Sequence, residues 1–217
     1  MIRQHGCMCY LQPGQAHRSD QPSKRATAAA ANFTTYNFTT EAHGHLTPFF
    51  AALQASCITA DQMAQGPFLP PLTNEKLLPW WRARMAEARA GQRVIVLLLP
   101  DLLGPTAQKP QGADFRGIAM MSLSPSETGT ARCHIDCLLV DRKYRRQGGA
   151  KALVQALEYE AGKRGRTLLL VDTEADTLAE AAFKKFGYTE VGKVPRYNRA
   201  VSNLRTAQTF FYKDLLP

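Results

Sequence analysis

The residues with the clearest chemical potential in this 217-residue chain run from Asp141 to Lys151: Asp141-Arg142-Lys143-Tyr144-Arg145-Arg146-Gln147-Gly148-Gly149-Ala150-Lys151. Arg142, Lys143, Arg145, Arg146 and Lys151 are basic. Gly148 and Gly149 stand where an apolar run gives way to a helical pattern. Glycine has no Cβ, so backbone N–H groups there can turn toward a ligand and approach it closely. The helix is marked by Ala150, Leu153, Val154, Leu157 and Ala161, one apolar face at the 3.6-residue period. Its first turn offers unpaired donors and a partial positive charge. Such an assembly suits a phosphate or pyrophosphate. The same residues also read as a solvated basic turn before an ordinary helix. The glycine spacing is neither G-x-G-x-x-G nor G-x-x-x-x-G-K-[ST].

Composition narrows the partners. The formal net charge is +9 and 45% of residues are apolar, which predicts a packed globular protein with anionic ligands. Charge alone does not choose between nucleic acid, an acidic membrane and a phosphorylated cofactor; its concentration at 142–151 favours the cofactor. The basic residues are not interleaved with aromatics as a base-stacking platform requires, so no nucleic acid is expected. No apolar run approaches the length of a membrane span, so no membrane partner is expected. The five cysteines, Cys7, Cys9, Cys57, Cys133 and Cys137, form no disulfide framework. Cys133 and Cys137 are predicted to share one strand face as small apolar fillers. His43-x-His45 lacks further ligands, so no metal is expected. Residues 1–31 are predicted to be a disordered basic N-terminal extension. A cytoplasmic location is expected, with organellar targeting by residues 1–31 left open.

The elements that must position the glycine turn are a strand before it, Ala131–Val140, and the helix after it, broken at Arg164-Gly165-Arg166. A buried strand, Thr167–Asp172, follows. Strand, crossover helix and strand make a parallel pair. Upstream, Thr34–Thr40 reads as a first strand. His45 to about Cys57 reads as a helix with Leu46, Phe49, Phe50 and Leu53 in helical spacing. Leu77, Leu78, Trp81, Met85 and Ala88 mark a second helix. Thr73-Asn74-Glu75 looks like its start, but Pro79 fits only near a first turn, which points to a later beginning. Arg93–Leu99 is a central strand, Leu102–Ala113 a loop and Phe115–Ser124 a strand. Asp176–Phe186 is a helix, and Tyr188–Val194 and Gln208–Lys213 are strands. The sum is a mixed α/β sheet, mostly antiparallel, with helices on both faces and one central parallel pair.

The turn Arg145-x-x-Gly148-x-Ala150 resembles the acetyl-coenzyme A motif R-x-x-G-x-G/A of the GNAT acetyltransferases, and the order of elements resembles the GNAT fold. Two further stretches, Asp172–Phe183 and Phe186–Tyr197, resemble the tabtoxin-resistance branch of that superfamily. The likeness is closest over 131–197, weaker over 32–217, and does not include 1–31.

The resemblance implies a GNAT acetyltransferase domain at 32–217 and acetyl-CoA as co-substrate. The strand at 131–140 would splay from the strand at 167–172, and the pantetheine arm would pair with Leu138, Leu139 and Val140. The pyrophosphate would sit on the N–H groups of Arg146, Gln147, Gly148, Gly149 and Ala150, beside the side chains of Arg145 and Arg146. Thr173 and Phe183 would also face the cofactor. The reaction implied is direct attack by a small-molecule amine, amino-acid-like or toxin-like, on the thioester. The amine must be neutral, which calls for a base of pKa near 7; His134 is the first candidate and Asp172 the second. Asp136, on the same strand face as His134, is assigned with Glu174 and Tyr197 to the substrate. A half-buried strand histidine bonded to a neighbour is the competing reading of His134. Many members carry a tyrosine where this chain has Phe183, so the usual acid is missing; Tyr188, Tyr197 or water can take its place. Phe183 also supports a second reading, a catalytically degenerate fold that binds acyl-CoA without turnover. The assembly is expected to be a monomer or homodimer.

Overall fold

A computed structural model describes residues 33–62, 66–101 and 109–216. Along it run strands β1 (Thr34–Asn37), β2 (Arg93–Leu99), β3 (Gly117–Leu123), β4 (Arg132–Val140), β5 (Leu168–Glu174), β6 (Thr189–Arg199) and β7 (Arg205–Asp214). Its helices are α1 (Thr40–His43), α2 (Thr47–Asp61), α3 (Asn74–Arg89), α4 (Gly149–Lys163) and α5 (Leu178–Lys185). The sequence readings of residues 1–31 and of most of the 102–113 loop lie outside the described residues.

The strands form one sheet in the order β1-β2-β3-β4-β5-β7-β6. Every pairing is antiparallel except β4 with β5. The helices α2 and α3 cover one face, α4 and α5 the other. This is why β2 is apolar without alternation: each of its residues is buried, whichever face it points to. Leu153, Val154 and Leu157 hold α4 to the sheet with at most 1% exposure, each burial stabilising by roughly 1.5–3 kcal/mol. Asn37 Nδ2 donates to Glu160 Oε1 at 2.9 Å and ties β1 to α4.

Two local expectations change, and one side chain departs from its neighbours. The second helix does begin at Asn74 and carries Pro79 inside it; the first turn is closed by Lys76 and Leu77 N–H bonds to the Thr73 carbonyl, so the missing donor of Pro79 interrupts a helix already started. Phe49, in helical spacing with buried Leu46, Phe50 and Leu53, is itself 44% exposed, its ring lying on the bare α-carbon of Gly112, where a Cβ would meet it at 2.0 Å. Cys133 and Cys137 do not share a face. Met120 pairs with Cys137 but Met121 pairs with Ile135, so Asp136 is an extra, bulged residue. The bulge reverses the side-chain alternation: Cys133 packs with α4, Cys137 with α2 and α3.

The bulge coincides with a fork in the sheet. The parallel ladder of β4 and β5 ends at Ile135–Val171. Beyond it, β4 continues along β3 as far as Val140–Gly117, and β5 continues along β7 as far as Glu174–Gln208. A wedge opens in mid-sheet, with the glycine turn at the far end of β4.

Candidate active site

At the start of α4 the backbone leaves a run of donors open. Arg146 has φ +63° and Gly148 φ +91°, two left-handed residues bracketing Gln147. Gly148 caps the helix with no side-chain bond. The first helical donor to find an acceptor is Ala152 N–H, on the Gly148 carbonyl at 3.0 Å. Among the described residues, the N–H groups of Arg146, Gln147, Gly148, Gly149 and Ala150 have no protein acceptor. A Cβ at Gly149 would meet Leu98 Cδ2 at 2.6 Å, so a side chain there would have to displace that buried leucine. An array of exposed donors at a positive helix end takes an anion.

Arg145 is engaged elsewhere. Its Nε donates to the Val140 carbonyl at 2.9 Å, and its two terminal nitrogens grip Asp61 Oδ1 and Oδ2 at 2.9 and 2.8 Å. That fork-on-fork pairing joins the end of α2 to the glycine turn. Arg146, by contrast, is exposed beside the open amides.

Below the bulge, His134 and Asp172 face each other across the last rungs of the parallel ladder. Nε2 of His134 lies 2.7 Å from Asp172 Oδ1. Gln208 Nε2 donates to Asp172 Oδ2 at 2.6 Å, and Asn198 Nδ2 donates to Gln208 Oε1 at 3.0 Å. The bond to Asp172, working against burial, lifts the imidazole above its ordinary 6.5; the Asp172 and Asp136 charges add to the rise and Arg93 opposes it. Burial would raise the Asp172 carboxyl, but the His134 and Gln208 bonds outweigh it and hold the group below 3.8. A carboxylate that orients an imidazole and strengthens it as a base leaves Nδ1 for a substrate proton.

The pair opens into a cleft of about 390 Å³ formed by the loop at Gly66–Leu69, His134, Asp136, the end of β5 from Asp172 to Glu174, and Asn198, Arg199 and Gln208. Asp136 is there, but its carboxylate is held by Arg93 NH1 at 2.6 and 2.7 Å. Arg93 is 7% exposed and also donates to Glu87 Oε2 at 2.7 Å. Glu174 lines the cleft with no charged partner among the described residues, and burial raises its carboxyl. Phe68 forms one wall and is braced by Trp80, ring centroids 5.9 Å apart at 79°; Trp81 is core, donating to Gln54 Oε1 at 2.9 Å.

Leu138, Leu139 and Val140 lie on the arm of β4 past the fork, and Thr173 on the opposing arm of β5. Tyr197 sits outside the lining, 53% exposed and stacked edge-on to Phe210. Phe183 is 3% exposed, within an aromatic cluster with Phe186, Tyr188 and Phe211 under α4 and α5. Tyr188 is buried on that same face, and burial with the nearby Glu158 charge pushes its hydroxyl far up, which makes it a poor proton donor. His43 and His45 are tied to backbone, at Thr39 N–H and the Pro110 carbonyl.

Residues 112–188 match the model described as the acetyltransferase (GNAT) family. That segment contains the fork, the bulge, the open amides and the His–Asp pair. That segment is similar to the GNAT acetyltransferases. Solved structures agree on the fold. An N-acetyltransferase of Staphylococcus aureus Mu50 superposes with a TM-score of 0.62 at 18% identity, covering 85% of this chain and 99% of that one. A ribosomal-protein-alanine N-acetyltransferase of Brucella melitensis gives 0.61 at 18%, covering 84% and 99%. A Salmonella typhimurium protein solved with its cofactor acetyl-CoA gives 0.61 at 14%, covering 86% and 95%.

Four residues around this site escape sequence reasoning: Arg93, Asn198, Gln208 and Asp61. Two carried a signal. Arg93 heads an otherwise apolar strand and Gln208 precedes the apolar run of β7, and a polar group buried in a strand demands a partner. The partners are 43 and 36 residues distant, so nothing local names them.

Proposed function

We propose that this domain transfers the acetyl group of acetyl-CoA to a small-molecule amine, amino-acid-like or toxin-like, with His134 as the base. The observation that carries the reading is the His134–Asp172 pair, half open to a cleft at the fork of the same strands that lead to the open amides. The residues present suit an acyl-CoA: the N–H groups of Arg146–Ala150 for the diphosphate, Arg146 beside them, and the β4 edge at Leu138 and Leu139 for the arm. Bound there, acetyl-CoA supplies an activated acyl group as a thioester. His134 Nδ1 takes the proton that the attacking amine releases, while Asp172, held by Gln208, steadies the imidazolium. Arg145, clamped on Asp61, fixes the glycine turn relative to α2. A thiol of ordinary pKa about 8.5 leaves as thiolate without a tyrosine, which is compatible with phenylalanine at position 183.

The test is an acceptor screen read by release of free thiol from acetyl-CoA. Turnover with at least one amine, reduced at least tenfold in the His134→Ala variant, is expected. Tight acetyl-CoA binding with no acceptor in a broad amine panel would instead favour a domain that binds without turnover.

A further inference from the structure

The acceptor cleft contains carboxylates whose charge is spent and one whose charge is not. Asp172 is matched by His134 and Gln208. Asp136 is matched by Arg93. Glu174 has no side-chain partner among the described residues, although it lines the same cleft. Asp172 and Glu174 are two residues apart on β5, where exposure alternates so that both point away from buried Val171 and Thr173. Two strand residues separate their positions by about 6.6 Å.

A carboxylate facing a cleft stabilises a cation near it. The attacking amine must be neutral, so an unmatched carboxylate beside it would hold it in the unreactive ammonium form. Glu174 is therefore placed to serve a different group from the one acetylated. Resting on the acetyl-transfer reading above, we infer that the acceptor is an amine with a second, non-reacting cationic group, seated on Glu174 while the reacting nitrogen lies at His134. The offset of about 6.6 Å between Glu174 and Asp172, the residue that holds His134, sets the scale of the separation, within the reach of a chain of four or five carbons. The apolar side of such a chain meets the Phe68 wall. Arg199, at the rim of the lining, faces solvent on the last residue of β6 and does not pair with Glu174.

The experiment compares 1,5-diaminopentane, pentylamine and 5-aminopentanoate as acceptors with wild type, Glu174→Gln and Glu174→Lys, with acetyl-CoA binding measured for each protein as a check of the fold. Wild type is expected to prefer the diamine over pentylamine at least tenfold in kcat/KM. Glu174→Gln is expected to bring that ratio near one, and Glu174→Lys to favour 5-aminopentanoate. Equal use of diamine and pentylamine by wild type, or a preference untouched in Glu174→Gln, overturns the inference while leaving acetyl transfer standing. Turnover of none of the three acceptors by wild type overturns it as well, and turnover of no amine in the broader screen overturns the function beneath it.

Discussion

At the scale of single residues, the proposed chemistry rests on how Asp172 conditions His134. The imidazole acts as a base only when neutral, and its pKa is raised above 6.5. Activity should therefore rise with pH through a value above 6.5, not at it. Asp172→Asn removes the hydrogen bond and charge that raise it. The acid limb of kcat/KM against pH should then move to lower pH, with kcat lower at every pH; an unmoved limb would break the link between the two side chains. His134→Ala should cost about 10²-fold in kcat, the usual contribution of a positioned base, with acetyl-CoA affinity kept. The same pair bears on stability. The raised His134 value favours the folded state below 6.5, and that gain is lost as pH rises through the folded pKa. The lowered Asp172 value favours it above 3.8, lost on acidification. Wild type and Asp172→Asn should differ most in urea midpoint between those limits, the difference shrinking as pH rises through the folded His134 value and again as it falls through that of Asp172.

Elements explain why these residues meet. The bulge at Asp136 and the early end of the β4–β5 ladder expose one strand edge and turn His134 into a cleft. Neither was legible in the sequence, because the run from Arg132 to Val140 alternates as if unbroken and only pairing with β3 reveals the extra residue. What was legible was local: the apolar period of α4, the glycines at its start, the all-apolar β2 and the parallel crossover. The ties that hold the site, Arg93 with Asp136 and Arg145 with Asp61, span 43 and 84 residues and leave no periodic trace. Arg93→Met should strand two partly exposed carboxylates, costing about 2 kcal/mol in urea unfolding, and should lower kcat as the bulge loosens. Gly148→Glu should keep the fold, since a Cβ at that position would meet nothing nearer than the Phe33 ring at 4.0 Å, but acquire about 1–2 kcal/mol of left-handed strain. The added carboxylate beside the open amides should abolish acetyl-CoA binding by calorimetry.

At the scale of the whole described fold, one forked sheet carries both proposed sites, the open amides at the start of α4 and the cleft at His134. The helices α2 and α3 shape the cleft side, and α4 carries those amides. Among the described helices none is long and apolar enough to cross a membrane. The net charge of +9 should make acetyl-CoA binding weaken with salt. Saturation at about 100 times Kd should stabilise the fold by about 2.7 kcal/mol, and unchanged melting would contradict a formed site. The central claim is that free backbone donors at the start of α4 grip a diphosphate. Amide resonances followed by NMR during titration with coenzyme A test it most directly. The amides of Arg146–Ala150 should shift together and saturate with the binding curve, ahead of amides elsewhere in α4; saturation of the protein with those five amides unmoved would rule out a diphosphate held there.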